Sequence, residues 1–172
     1  WALLQQHPDW LAAITLPNGK IGALPCIQEQ APQNPIWINQ DWLDAVGMTA
    51  PTTYDELNQQ IIFFADPPNL YGTAFAGKDE GLSGRFMEIL RANGGDMFDE
   101  NWNPTFNSPE GVAALQWFID IYQAGAVPAG TVNYTWDDIG QAFAAGQLAL
   151  DLDWPGFAGM YSDPAASTVA DH

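Results

Sequence analysis

The sequence predicts an α/β fold in which helices pack on a central sheet. Three observations carry that expectation. Short β-branched or apolar runs alternate with stretches of helical periodicity along most of the 172 residues. The boundaries carry cap and turn chemistry, with Ser, Thr or Asp before helices and Gly or Pro after them. Hydrophobic residues make up 47% of the chain and aromatic residues 13%, including 8 Trp, which is enough apolar surface for one sizeable core.

Residues 1–15 read as short helical pieces broken at Pro8, with Asp9 placed to cap the following WLAAI turn. The run LPNGK at 16–20 is a tight turn, because Asn-Gly supplies the positive φ of hairpins, and 21–24 reads as a short strand ending at Pro25. The polar stretch 26–34 reads as a connector. PIWIN at 35–39 is of strand type, and a helix follows over 41–46, closed by Gly47. Thr53 and Glu56 form a capping-box pattern for a helix with Leu57, Ile61, Phe64 and Ala65 on one face. LYGTAF at 70–75 reads as a buried strand and 76–81 as the loop leaving it. Phe86, Ile89 and Leu90 mark the next helix, which stops at Asn93-Gly94-Gly95.

Ser108-Pro109 opens a helix whose apolar stripe is Val112, Leu115, Phe118, Ile119 and Tyr122. Thr135 caps the helix WDDIGQAFAAG, with Asp137 and Asp138 at its positive end. Residues 148–152 form a strand, and 154–160 begin a helix. From 162 onward no core pattern remains, so that segment reads as a loop leaving the domain.

Composition excludes several function classes. With 4 Lys+Arg against 21 Asp+Glu, the net charge is −17, which leaves no electrostatic footprint for nucleic acid or an anionic membrane. One cysteine, Cys26, permits no internal disulfide, and two histidines permit no His-rich metal site, so neither a metal nor a cofactor is expected. No apolar run reaches the ~18 residues that span a bilayer. The chain opens on Trp1 in mid-pattern and reads as an excerpt of something longer. No GxSxG, phosphate-cradling glycine loop or HExxH occurs. With 21 acids a hydrolytic carboxylate pair such as Asp137 and Asp153 can always be drawn, and abundance empties that signal.

The aromatic residues say more. Sugar C–H faces stack on indole rings while carboxylates and amides take the hydroxyls. Several Trp here adjoin acids or amides. Trp37, Trp42 and Trp117 sit in core-like patterns, whereas Trp136 at a helix start and Trp154 at a strand end stand where α/β sheets bind ligands. The same rule points to the loops 39–41, 77–81 and 153–154.

Four pieces in order carry a family resemblance: PIWINQDWLDAVGMTAPTTYDEL, DPPNLYGTAFAGK, ANGGDMFDENWNPTFNSPEGVAALQWFIDIYQAGAVP and YTWDDIGQAFAAGQLALDLDWPGFAGM. Together, from about Gly19 to Met160, they resemble the extracellular solute-binding proteins of family 1, the substrate-binding subunits of ABC-type sugar importers. The resemblance implies a periplasmic-binding-protein-like type II lobe, with a central mixed sheet flanked by helices and only part of the family's length. Residues 1–25 would be the end of a first lobe and the incoming crossover, 26–161 the second lobe, and 162–172 the lead into the return crossover.

It further implies a non-catalytic protein, monomeric and outside the cytoplasm, either periplasmic or a cell-surface lipoprotein. Such a protein binds a sugar or oligosaccharide between two lobes and delivers it to a membrane permease. By position, Trp154 matches the family's aromatic stacking residue after the G-x-x-A-[ML] segment, here residues 146–150 with Leu last; Asp153 precedes the ring and Pro155 follows it. Trp37, Lys78 and Asp79 match cleft-facing regions, and Trp136 and Asp153 complete the expected ligand-binding set. Two other readings remain open at this stage, a cationic ligand such as a polyamine and a carbohydrate-active hydrolase.

Overall fold

A computed structural model describes residues 2–23, 35–78 and 80–170. Cys26 and Asp79 therefore lie outside the described residues, as does the end of the 21–24 run. The chain divides into two compact units, Trp1–Pro32 and Gln33–His172.

The first unit holds α1 (Ala2–Gln6) and α2 (Pro8–Ala13), followed by a hairpin-like turn. Pro8 begins α2 after His7, so Asp9 lies inside the first turn instead of capping it. The His7 and Trp10 rings stack at 3.7 Å. The 16–20 turn forms as its chemistry dictates: the Leu16 N–H donates to the Lys20 carbonyl, and Asn18 Oδ1 accepts from the Lys20 N–H. The strand expected over 21–24 shrinks to one bridge between Thr15 and Ile21, because a single Leu16-centred turn offers no further partner.

The second unit contains β1 (Ile36–Ile38), α3 (Gln40–Val46), α4 (Tyr54–Phe64), α5 (Glu80–Ala92), α6 (Pro109–Gln123), α7 (Trp136–Ala144), β2 (Leu150–Leu152) and α8 (Ala158–Tyr161). Most starts follow local chemistry. Asn39 caps α3 by accepting from the Trp42 N–H, Thr53 caps α4 through the Glu56 N–H, and Ser108 caps α6 through the Gly111 N–H. The capping box of α4 closes one residue early, since the Glu56 carboxylate accepts from the Thr52 N–H and hydroxyl. At α7 the Asp138 carboxylate accepts from both the Thr135 N–H and its hydroxyl, at 2.8 Å each.

The sheet is mixed. β1 pairs antiparallel with β2, matching Ile36 to Leu152 and Trp37 to Asp151. On the other side of β2, residues 71–76 run parallel to it through a bridge between Tyr71 and Leu148. That segment was expected as a regular strand, but its far edge is covered by a loop. The Gly72 and Thr73 N–H groups donate to the Ala126 carbonyl, and Phe75 pairs with the Thr131 side chain.

Helices cover both faces. Leu57, Ile61, Ile89, Leu90, Trp117, Phe118 and Ile121 from α4, α5 and α6 pack with Leu150 and Leu152 in one cluster. Ile139 and Phe143 of α7 and Tyr161 of α8 pack with Ala74, Ala76 and Leu148 in another.

The α6 stripe is corrected in part, Phe118 being buried as expected. Val112 is 59% exposed and Leu115 53%, and Ile119 and Tyr122 are exposed as well. The buried face is Gly111, Ala114, Trp117, Phe118 and Ile121. The helix is apolar around most of its circumference, so periodicity alone had two faces to choose from. Packing chose the one whose small residues let the backbone approach: a Cβ at Gly111 would stand 1.7 Å from the Phe106 carbonyl oxygen.

Candidate functional site at the end of the second strand

Residues 71–76 and β2 run in parallel, so their carboxyl ends emerge side by side. The loop at Gly77-Lys78, the first turn of α5, the first residues of α7 and the Asp153-Trp154 corner therefore gather at one end of the sheet. The backbone secures this gathering, with the Gly77 N–H donating to the Thr131 carbonyl and the Lys78 N–H to the Tyr134 carbonyl just before α7.

At the strand end, Trp154 is 52% exposed while its neighbour Asp153 is 0% exposed. A half-exposed indole is hydrophobic surface held in water, ready to be covered. A turn of 3-10 helix over Pro155–Phe157 follows at once, and its middle residue fixes the ring. A Cβ on Gly156 would lie 2.5 Å from Trp154 Cδ1, so the indole folds back over a position that only glycine leaves open.

Asp153 Oδ1 accepts from the Trp154 N–H at 2.6 Å. Its Oδ2 is buried with no hydrogen-bond partner among the described residues. Burial pushes this carboxyl up to about 6, opposed by the Trp154 N–H and the Arg85 guanidinium and reinforced by Asp137. Two residues back, in β2, Asp151 is buried too and accepts from the Tyr161 hydroxyl at 2.6 Å. Desolvation raises Asp151 to about 7, and Asp153 adds to the rise while the Tyr161 hydrogen bond and Arg85 oppose it. Burial, with Asp151 alongside, raises the Tyr161 hydroxyl far above its ordinary value.

Trp136 opens α7 at the same end. Its ring lies under the Arg85 guanidinium, with 5.8 Å from Cζ to the ring centroid. Gly81 lets α5 close on it, since a Cβ there would meet Trp136 Cε2 at 3.3 Å and the Ala76 Cβ at 2.5 Å.

The structure thus brings Asp153, Trp154 and Trp136 to one end, with the exposed Lys78 on the adjoining loop, where it adds to the lowering of the Asp138 carboxyl that the Thr135 hydrogen bonds chiefly cause. Trp37 sits mid-strand, opposite Asp151 in the register of β1 and β2. Trp37 packs edge-on against Tyr161 at 5.3 Å and lines a separate cavity of about 280 Å³ with Asn39, Trp42, Phe143 and Leu148. Because β1 runs antiparallel to β2, the 39–41 loop lies at the opposite end, and the Asn39 side-chain oxygen accepts from the Trp42 N–H. Among the described residues, no three His, Cys, Asp or Glu side chains are arranged to hold a metal.

One residue of this site escaped the sequence reading. Arg85 is 6% exposed, donates to the Leu152 carbonyl and pairs with Glu88 at 2.5 Å. Its one visible signal is the i,i+3 Arg-Glu spacing in a chain with four basic residues.

The bacterial extracellular solute-binding protein family matches residues 4–171. The chain belongs to that family. Solved structures agree with this membership. A solute-binding protein of an ABC transporter from Agrobacterium radiobacter K84, in complex with ribitol, superposes with a TM-score of 0.78 at 29% identity. That alignment covers 95% of this chain and 41% of the other. Maltose-bound MalE3 of T. maritima gives the same TM-score, identity and coverage.

A curated relative from Sinorhizobium fredii, described as a "probable amino-acid ABC transporter periplasmic-binding protein", is 25% identical over 139 residues. That match covers 79% of this chain and 32% of the relative. The chain thus spans well under half the length of the proteins it matches, and its fold is that of a periplasmic-binding-protein-like lobe. No helix among the described residues is long and apolar enough to cross a membrane.

Proposed function

We propose that this chain forms one wall of the ligand cleft in the substrate-binding component of an ABC-type importer. Its ligand would be a sugar, sugar alcohol or oligosaccharide, bound without being cleaved. The observation that carries the reading is the half-exposed Trp154 indole beside the buried, unpartnered Oδ2 of Asp153. A ligand C–H face covers the ring, and a local opening of the strand end lets a hydroxyl donate to the buried carboxylate, satisfying an acceptor that has no partner among the described residues. Trp136 and Lys78 border this wall, Asp79 next to Lys78 in the sequence is a further candidate ligand contact, and Trp37 supports the sheet behind it.

Ribitol and maltose in the two solved relatives, at 29% identity, favour polyhydroxylated ligands over the polyamine and hydrolase alternatives. In this reading residues 1–25 belong to a first lobe and the incoming crossover, 26–161 to the second lobe, and 162–172 lead to the return crossover. The protein works outside the cytoplasm as a monomer, in the periplasm or as a surface lipoprotein. It hands its ligand to a membrane permease after the lobes close.

Titration calorimetry of the chain against ribitol, maltose and a panel of amino acids tests this. Expected is weak heat with a polyol or sugar, because one wall makes only part of the contacts, and its loss in Trp154→Ala. Heat with an amino acid alone overturns the assignment, as does release of glucose from maltose.

A further inference from the structure

We propose that Arg85 is a positioning residue for this site: held by the Leu152 carbonyl, Glu88 and the Trp136 ring, it locks α5, α7 and the end of β2 into the geometry that presents Asp153 and Trp154. The inference deepens the proposed binding role and rests on it.

The arrangement is specific. A guanidinium offers several donors in one plane, so a single side chain can serve a carbonyl, a carboxylate and an aromatic face at once. Here the carbonyl belongs to the residue just before Asp153, the ring belongs to the first residue of α7, and the carboxylate lies one turn along α5. At 6% exposure the guanidinium is shielded from water, so these contacts are not diluted by solvent.

Arg85 is also the cation that acts on Asp153. The acidic or titratable groups on Asp153 are Asp137 from α7, Asp151 on its own strand and Tyr161 from α8. Arg85 opposes them and favours the ionised form that can accept a ligand hydroxyl. A merely packing role would not act on that carboxyl.

The test reads both effects without needing the ligand. Carbon NMR follows the Asp153 carboxyl, assigned through Asp153→Asn, and fluorine NMR on 5-fluorotryptophan protein follows Trp154, assigned through Trp154→Phe. Expected in Arg85→Gln is an upward move of the Asp153 midpoint by about one pH unit or more, with a displaced Trp154 signal. Because that variant removes the Arg85–Glu88 ion pair, the neutral double variant Arg85→Gln, Glu88→Gln is measured beside it and should behave alike.

Should neither fold, Arg85→Lys decides. It keeps the charge but lacks the planar fork, so the Asp153 midpoint should stay near the parent's while the Trp154 signal still moves. A folded variant with both signals unchanged overturns the proposal. Calorimetry with ribitol and maltose separates the two readings. Moved signals without sugar heat in the parent sink the binding role alone, and sugar heat with unmoved signals sinks the Arg85 role alone.

Discussion

Gly156 decides where the Trp154 indole can lie. Its missing Cβ is the space the ring occupies, so Gly156→Ala should swing the indole away while touching nothing in the core. The expected result is a loss of sugar affinity of about fivefold, from a stacking contact worth about 1 kcal/mol, with an unchanged urea midpoint. Calorimetry and denaturation on the same variant check it. Asp153 adds a pH signature. Its carboxyl titrates near 6, so a bond that needs the ionised acceptor should strengthen as pH rises through that value. Asp153→Asn should bind more weakly and lose that dependence, which calorimetry at pH 5 and pH 8 would show. The adjacency of acid and indole was legible in the sequence, because both follow directly from a strand that stops at 153. The role of Arg85 was not, since no local pattern links residue 85 to the carbonyl of residue 152.

At the scale of elements, side-chain chemistry at helix starts translated almost directly into structure, because a cap needs only residues within one turn. Ser108, Thr53 and Thr135 each sit where their oxygens meet the following turn. Choices between faces or directions were not legible, because they depend on distant partners. Four of the five residues in the stripe expected on α6 face outward while Phe118 is buried, and β1 runs against β2, which carries the 39–41 loop away from Asp153. Thr131 illustrates a link that no window of sequence could reveal. Fully buried, its hydroxyl accepts from the Phe75 N–H at 2.9 Å and donates to the Phe75 carbonyl at 2.8 Å, joining the 126–134 loop to the extended run 71–76. Thr131→Val leaves both backbone groups unsatisfied at nearly constant volume. A destabilisation of about 2 kcal/mol is expected by urea denaturation.

Across the whole molecule, two sets of carboxyls act in opposite senses on stability. Asp151 and Asp153 are raised by burial, so the folded state holds protons that the unfolded chain releases. Their contribution is fully present below the ordinary value of 3.8 and is lost as pH rises through about 6 and 7. Glu56, Asp99, Glu110 and Asp138 are lowered by hydrogen bonds, chiefly at helix starts and turns. They stabilise above their ordinary values and lose that effect as pH falls further. The fold should therefore be weaker by a few kcal/mol at about pH 8 than at about pH 5. Denaturation at both values, with Asp151→Asn flattening the difference, is the check. Self-repulsion at a net charge of −17 acts in the same direction.

The sheet register has a consequence for the order of assembly. β2 is the shared partner of β1 on one side and of residues 71–76 on the other, yet it is the last of the three to leave the ribosome. Until Leu150–Leu152 arrives, both earlier segments wait with open edges, and loops of many residues must close before either is paired. The strand that completes the sheet leads into Asp153 and Trp154, so the proposed binding wall is finished in the same event that finishes the fold.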